Sequence, residues 1–170
     1  MKEETFRNDV LPLKNKIYRL ALRVTLNPVE AEDIVQDTLL RLWDKRDMLG
    51  EVENLEAFAY TVCRNLALDR MKRLDNKNES LDASVMERAD AGTSPSEQTI
   101  QSDRVELVRK IMNTLPEKQR SCIQLRDFEG KPYKEIAEVL NITEEQVKVN
   151  IFRGRQFIKK RFNEIDNYGL

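Results

Sequence analysis

Apolar residues recur every three or four positions through most of this chain, and this spacing constrains the fold more than any other feature. Such spacing lines one face of an α-helix, whereas a half-buried strand alternates apolar and polar residues. Five helical segments cover most of the sequence and no convincing strand pattern appears, so the sequence predicts an all-α fold. Two of the clearest runs are Val10, Leu13, Ile17, Leu20, Ala21 and Val24, and Leu55, Phe58, Ala59, Val62, Cys63, Leu66 and Ala67.

The first predicted helix is long and stops at Asn27-Pro28. Asn27 suits the N-cap of the next helix, and Pro28 suits the first turn of that helix. This second helix contains the stretch AEDIVQDTLLRLW. Its predicted core-facing residues are Ala31, Ile34, Val35, Leu39 and Leu42.

Leu40 lies on the opposite side of the second helix, within a polar strip. At about 100° per residue it shares that side with Asp33, Gln36, Asp37 and Asp44. An apolar side chain among carboxylates on a solvent-facing side is typical of a docking surface for another protein. Single exposed leucines are also common on ordinary surfaces, so the strip alone leaves both interpretations open.

A polar strip also runs beside the apolar face of the third helix, which ends in the basic run DRMKR. Hydrogen-bonding groups beside cations suit single-stranded nucleic acid, although such sites usually add exposed aromatic side chains for base stacking. An ordinary solvated face is the alternative that these residues alone favour. The strip consists of Thr61, Asn65, Leu68 and Lys72, with Arg64, Arg70 and Arg73 nearby.

Residues 76–103 break the helical pattern. They include six acidic and two basic residues, few large apolar ones, and both Gly92 and Pro95. Such a segment cannot bury enough apolar surface to offset the entropy lost on ordering, which predicts a flexible acidic linker. The chain would then form two small helical domains, residues 1–75 and residues 104–170. A long surface loop within one domain is the alternative, although such loops are uncommon in compact folds.

The segment after the linker ends in a predicted helix-turn-helix. The helix YKEIAEVL is followed by the short turn NI and then by Thr143-Glu144-Glu145-Gln146, which has the form of a capping box. Ala137 is small enough for the two helices to cross closely. Between Lys148 and Arg161 the second helix carries six cations and no anion, which favours a polyanionic partner.

The outward face of this last helix combines apolar and cationic side chains. Val149 and Phe152 have little use on a solvated face, whereas in a DNA major groove they can contact thymine methyl groups. Lys148 and Arg153 can then reach bases or phosphates. An ordinary helical hairpin with a solvated basic end is the alternative. Four further cations would follow the DNA backbone: Arg155, Lys159, Lys160 and Arg161.

The composition disfavours several other classes of protein. The chain has no histidine, so it lacks the commonest general base and the commonest metal ligand. Cys63 and Cys122 each fall on an apolar helical stripe, which predicts buried free thiols rather than a disulfide. No apolar run approaches the ~20 residues of a membrane span, and the N-terminus MKEETFRNDV has no signal-peptide core, so we expect a cytoplasmic protein.

Three segments together resemble the bacterial RNA polymerase sigma factors of the extracytoplasmic-function group. The stretch AEDIVQDTLLRLW is similar to that family's polymerase-binding helix, and FAYTVCRNLALDRMKR is similar to its promoter-opening helix. The segment LPEKQRSCIQLRDFEGKPYKEIAEVLNITEEQVKVNIFRGR resembles its C-terminal DNA-binding domain. The three segments occur in the family's order around a variable linker, so the resemblance covers essentially the whole chain.

The resemblance implies three sets of site residues. The set that docks on the clamp helices of the polymerase beta-prime subunit comprises Asp33, Gln36, Asp37 and Leu40. At the -10 promoter element a flipped-out base contacts Asn65, in a pocket shaped by the loop Leu49–Glu53; this set comprises Leu49, Arg64, Asn65 and Lys72. The set that reads the -35 element comprises Lys148, Val149, Asn150, Phe152, Arg153, Arg155 and Lys159.

The function implied is that of a sigma factor. It binds core RNA polymerase through the beta-prime and beta subunits, directs it to promoter DNA and helps open that DNA, while the polymerase performs the chemistry. An anti-sigma partner is implied as well, and no cofactor. One alternative is an ordinary helix-turn-helix regulator that binds a palindromic operator as a dimer without polymerase. Another is a helical enzyme using Asp33 and Asp37, which no nucleophile, phosphate-binding loop or metal-ligand cluster supports.

Overall fold

The structure is a computed structural model that describes residues 2–78 and 100–167, and every regular element within these ranges is helical. The all-α prediction is confirmed. None of the described helices combines the length and apolar character that a membrane span needs. The helices of the first range are α1 (Glu3–Asp9), α2 (Lys14–Thr25), α3 (Pro28–Asp44), α4 (Arg46–Leu49) and α5 (Leu55–Asn78). Those of the second range are α6 (Ile100–Met112), α7 (Glu117–Ile123), which continues into a short π-helix (Gln124–Phe128), α8 (Tyr133–Leu140) and α9 (Glu144–Asn167).

Helix α2 begins at Lys14 and not at Val10, where the apolar run that predicts the first helix begins, because Pro12 interrupts the helical path. A single 3-10 turn spans Leu11–Leu13 and separates α1 from α2. A proline inside a helix has no N–H to donate and clashes with the preceding turn, so the helical path breaks there. The apolar spacing nevertheless persists across the break, because Val10 and Ile17 are both buried.

Helix α3 begins with the predicted Asn27 cap. Asn27 Oδ1 accepts hydrogen bonds from the backbone N–H groups of Val29 at 2.9 Å and Glu30 at 3.2 Å, and Pro28 occupies the first turn. The side chain thereby satisfies two donors that have no partner within the helix. The predicted core face is also confirmed, with Leu39 half-buried and four residues fully buried: Ala31, Ile34, Val35 and Leu42.

The cap makes a testable contribution to stability. Asn27→Ala is expected to lower the free energy of unfolding by about 1 kcal/mol, because both capped N–H groups lose their acceptor. Urea unfolding followed by circular dichroism measures the change. Asn15→Ala, at an exposed position inside α2, is the control and should change the free energy by less than about 0.5 kcal/mol. Equal losses in the two variants would contradict the capping role.

The two cysteines are buried free thiols, as the sequence predicts. Cys63 packs in the core of the first range, where its thiol contacts the backbone oxygen of Ile17 at 3.4 Å. Burial raises the pKa of Cys63 and of Cys122 to about 12. Both thiols therefore stay protonated at neutral pH, and they serve the packing as small apolar groups.

The two described ranges pack against each other, α2 on α7 and α5 on α8. Most of their buried apolar side chains form one continuous cluster that includes Ala67 from the first range and Leu125 and Ile136 from the second, while Met112, Leu115 and Ile123 form a smaller cluster. The two halves of the chain, residues 2–78 and residues 100–167, are therefore joined by a shared apolar core. Of the predicted linker, residues 79–99 lie outside the described residues; α5 extends to Asn78 and α6 begins at Ile100.

An ion pair between buried Arg64 and half-buried Glu117 also joins the halves. Arg64 Nε and Nη2 donate to the two carboxylate oxygens of Glu117 at 2.9 and 2.8 Å, and Arg64 is only 5% exposed. Ser121 Oγ donates to the same carboxylate at 3.1 Å. A two-pronged, charge-assisted contact of this kind fixes the relative orientation of α5 and α7.

Polar contacts continue along the same interface. Arg120 donates to the backbone oxygens of Arg23 at 2.8 Å and Val24 at 3.2 Å. A cation from the second half thus satisfies carbonyl groups at the C-terminal end of α2, where cations are favourable. Nearby, Glu56 of α5 pairs with Lys131 at 2.5 Å. The interface therefore combines apolar packing with hydrogen bonds and ion pairs between the two halves.

Candidate functional site

The polar strip predicted on α3 faces solvent. Asp33, Gln36 and Asp37 are all exposed, and Leu40 is 62% exposed. The four residues lie along the side of the helix that does not contribute to the core. Leu40 is therefore an apolar side chain available for contact beside carboxylates.

Arg70 of α5 reaches across to this strip, a contact that the sequence analysis did not predict. Its Nη1 atom lies 2.9 Å from Glu30 Oε2 and 3.5 Å from Asp33 Oδ2, and its Nη2 atom lies 3.2 Å from Asp37 Oδ2. Burial opposes the charge of Arg70, but the hydrogen bond and charge of Glu30, followed by those of Asp33, raise its pKa above the ordinary value. Arg70 thus remains a cation held by three carboxylates.

A groove of about 320 Å³ runs between α3 and α5 beside Leu40. Its walls alternate carboxylates and guanidinium groups, and Leu40 provides apolar surface among them. The groove therefore extends the strip of α3 onto α5. Its polar lining residues include Asp37, Arg41, Asp44, Asp69, Arg70 and Arg73.

On α5, the structure leaves part of the predicted nucleic-acid strip available. Asn65 and Lys72 are exposed, seven residues apart and hence on one side of the helix. Thr61 is half-buried, and its hydroxyl donates to the backbone oxygen of Ala57 at 2.9 Å. Asn65 and Lys72 are therefore the polar side chains that this strip offers to a partner.

Two residues of the predicted -10 set are placed differently from what the sequence analysis expects. Arg64 lies between the two halves and faces the second half, where its guanidinium group pairs with the Glu117 carboxylate of α7. Leu49 is only 3% exposed, because it anchors the one-turn helix α4 in the core. The neighbouring Met48 is 61% exposed and is the large apolar side chain that this segment presents to solvent.

The predicted capping box at the start of α9 is confirmed. Thr143 N–H donates to Gln146 Oε1 at 2.9 Å, and Gln146 N–H donates to Thr143 Oγ1 at 3.1 Å. These reciprocal bonds fix the first turn of the helix. Inward-facing Gly154 lets α9 approach α7 closely, because a methyl group at that position would collide with Ile123.

The outward face of α9 is exposed as predicted. Phe152 is 63% exposed and Val149 is 43% exposed, with Lys148 and Arg153 exposed on the same face. Asn150 is half-buried, and its Nδ2 donates to the backbone oxygen of Gln146 at 2.8 Å. The apolar and cationic side chains thus face solvent, although Lys148 also lies 3.8 Å from Glu145 Oε1 and 5.9 Å from the centre of the Tyr133 ring. The amide group of Asn150, in contrast, bonds within its own helix.

Arg155 and Lys159 continue the cationic side of α9 but differ in their surroundings. Arg155 forms a two-pronged pair with Asp127, and this hydrogen bond raises the pKa of Arg155 against the opposing effect of burial. Lys159 is exposed. The pairing with Asp127 depends on how α9 packs, so no sequence spacing indicates it. It leaves Lys148, Arg153 and Lys159 as the more available cations.

Two family profiles match this chain. Residues 10–77 match Sigma-70 region 2, which contains α2 to α5, and residues 106–158 match Sigma-70, region 4, which contains the helix-turn-helix. The matches thus cover both exposed surfaces described above.

Full-length relatives are similar along most of the chain. An extracytoplasmic-function (ECF) RNA polymerase sigma factor of Mycobacterium tuberculosis, SigL, is 30% identical over 88% of this chain and 84% of its own length. The ECF sigma factor SigW of Bacillus subtilis is 27% identical over 96% of this chain and 91% of its own length. The chain spans only 40% of the length of another relative, the probable RNA polymerase sigma factor RfaY of Xanthomonas campestris, at 25% identity.

Two solved structures share the fold. The sigma factor RpoE, crystallised with the anti-sigma factor NepR from Bartonella quintana, superposes with a TM-score of 0.81 at 23% identity, over 96% of this chain and 99% of that one. CnrH, in complex with the cytosolic domain of CnrY, gives a TM-score of 0.69 at 19% identity, over 96% and 90% of the two chains. The likeness includes the arrangement of both helical halves.

Proposed function

Because the chain belongs to the ECF group of RNA polymerase sigma factors, we propose that it binds core RNA polymerase, directs it to promoters and helps open the DNA. One observation carries this proposal. The same chain exposes a carboxylate and leucine strip on α3 and a cationic, partly aromatic face on α9. The first suits a protein partner and the second suits the DNA major groove.

The α3 strip forms the polymerase contact. Leu40 supplies an apolar anchor, while Asp33, Gln36 and Asp37 meet polar and cationic groups of the beta-prime clamp helices. The beta subunit contacts the same chain elsewhere. Size-exclusion chromatography of the purified chain with bacterial core RNA polymerase should give an equimolar complex. A chain that stays separate from polymerase and binds operator DNA as a dimer would instead be a conventional regulator.

Both promoter elements are read by exposed side chains. At the -35 element Lys148 and Arg153 contact bases or phosphates, and Val149 and Phe152 pack on thymine methyl groups. Arg155 and Lys159 follow the phosphate backbone. At the -10 element Asn65 contacts the flipped base and Lys72 contacts the nearby strand, since both face solvent on α5.

The packed arrangement of the halves limits DNA binding by the free chain. Arg64 reaches promoter DNA only if α7 moves away, because Glu117 holds both prongs of its guanidinium group. Polymerase binding to both halves can supply the energy for that separation. The free chain is therefore expected to bind promoters weakly and the holoenzyme to bind them specifically.

Weakening the Arg64–Glu117 pair should let the two halves of the free chain separate. Glu117→Gln keeps the side-chain shape but leaves the charge of Arg64 uncompensated, which is expected to destabilise the packed arrangement by about 3 kcal/mol. Small-angle X-ray scattering should then show a larger radius of gyration. Glu138→Gln is the matched control, because it makes the same replacement at an exposed position of α8. An unchanged radius in Glu117→Gln would show that the pair does not hold the halves together.

The remaining assignments rest on the family. The polymerase performs the chemistry, so this chain contributes no catalytic residue, and it works in the cytoplasm where the polymerase acts. An anti-sigma protein restrains it. This last assignment is supported by the solved structure in which the sigma factor RpoE is bound by the anti-sigma factor NepR.

A further inference from the structure

Arg70 joins the two helices that carry different tasks in the proposed function. It belongs to α5, yet its guanidinium group contacts Glu30, Asp33 and Asp37 of α3 at 2.9 to 3.5 Å. On α5 it lies about 140° around the helix from Asn65, so it faces away from the strip assigned to DNA. Arg70 therefore contributes to the polymerase-facing side of α5.

The residues that Arg70 contacts lie in line with Leu40. Positions 30, 33, 37 and 40 follow a spacing of three, four and three residues, which places them along one side of α3. Arg70 covers the first three positions, and Leu40 follows at the open end. Arg70 also lines the groove beside Leu40. The guanidinium group and the exposed leucine therefore belong to one continuous surface.

The positive charge of Arg70 reduces the repulsion among the three carboxylates and restricts their rotamers. Without it, Glu30, Asp33 and Asp37 would repel one another and occupy several rotamers. The planar fork of an arginine can hold more than one carboxylate in fixed geometry, which a lysine cannot do equally well. A partner that meets carboxylates already held in place loses less conformational entropy on binding.

We propose that Arg70 is a positioning residue for polymerase docking: it fixes Asp33 and Asp37 in the orientation in which they meet the polymerase. The proposal deepens the polymerase contact and rests on that proposed function. Arg70 itself remains bound to Glu30 and need not touch the polymerase.

A coupling experiment tests this role. The affinity of the full chain for bacterial core RNA polymerase is measured by fluorescence anisotropy for wild type, Arg70→Ala, Asp33→Asn/Asp37→Asn and the triple variant. Arg70→Ala should weaken binding about tenfold in the wild-type background and less than about twofold once Asp33 and Asp37 are neutral. Arg7→Ala, which removes an exposed arginine that pairs with Glu3 of its own helix, should bind as wild type does.

A loss of polymerase binding must be distinguished from a loss of folding. Thermal unfolding reports whether Arg70→Ala is folded; if it is not, Arg70→Lys takes its place and should weaken binding about threefold, because the ammonium group lacks the fork. Unchanged or tighter binding by the folded Arg70 variant would overturn the positioning role, and so would equal losses in both backgrounds. A wild-type chain that does not bind polymerase would refute the proposed function and this inference together, whereas wild-type binding with no effect at Arg70 refutes only the latter.

Discussion

Leu40→Asp is expected to lower the affinity of the chain for core RNA polymerase by at least about thirtyfold, the loss typical of an interface anchor. Leu40 is 62% exposed, so a charged side chain can replace it without burying a charge in the core. The substitution removes the apolar anchor and adds a carboxylate to a strip that already contains Asp37 and Asp44. Binding should therefore fall while the fold persists.

Fluorescence anisotropy with labelled chain and core polymerase measures this effect, and circular dichroism checks the fold. Leu11→Asp is the matched control: it makes the same replacement at a leucine that is 42% exposed and lies outside the strip. It should bind polymerase as the wild type does. An unfolded Leu40→Asp variant would contradict the placement of Leu40, and equal losses in both variants would contradict the docking role of the strip.

The double variant Lys148→Ala/Arg153→Ala is expected to reduce promoter-specific transcription about a hundredfold, with unchanged affinity for polymerase. Each side chain is exposed on the outward face of α9, and a direct contact to a base is worth about 1–3 kcal/mol, or about 5- to 150-fold per residue. Neither residue contributes to the core. The loss should therefore fall on DNA recognition alone.

Run-off transcription by the reconstituted holoenzyme measures the loss, together with the dependence of promoter binding on salt. If either cation contacts phosphate, its removal should reduce the salt slope by about one. Arg104→Ala/Lys110→Ala, which removes one arginine and one lysine from the exposed side of α6, is the matched control. A double variant of α9 that starts transcription at the same sites with the same yield would exclude this face from promoter recognition.

Local chemistry explains which parts of the fold the sequence predicts well. The Asn27 cap and the capping box at Thr143 each depend on residues within about one turn, and the core face of α3 follows from the regular spacing within a single helix. The break at Pro12 has an equally local cause, the proline itself, although the apolar spacing continues across it. Thr38 is fully buried although it is polar, because its hydroxyl donates to Ile34 O at 2.7 Å.

The site is less predictable where distant residues meet. Arg64 and Glu117 are 53 positions apart, and Arg70 lies 33 positions or more from the carboxylates it holds. A helical wheel places a side chain on a face but does not say which helix packs there, so it cannot tell a DNA-facing arginine from an interface arginine. The burial of Leu49 cannot be predicted from the sequence, because the single helical turn of α4 has too few residues to establish a periodicity.

Reconstituted transcription shows whether this chain acts as a sigma factor. Bacterial core RNA polymerase is incubated with linear genomic DNA, with and without the purified chain, and the 5′ ends of the transcripts are mapped. We expect discrete start sites that require the chain and share sequence elements near -10 and -35. The same scattered starts in both reactions would contradict this expectation, because a chain that does not redirect the polymerase is not acting as a sigma factor.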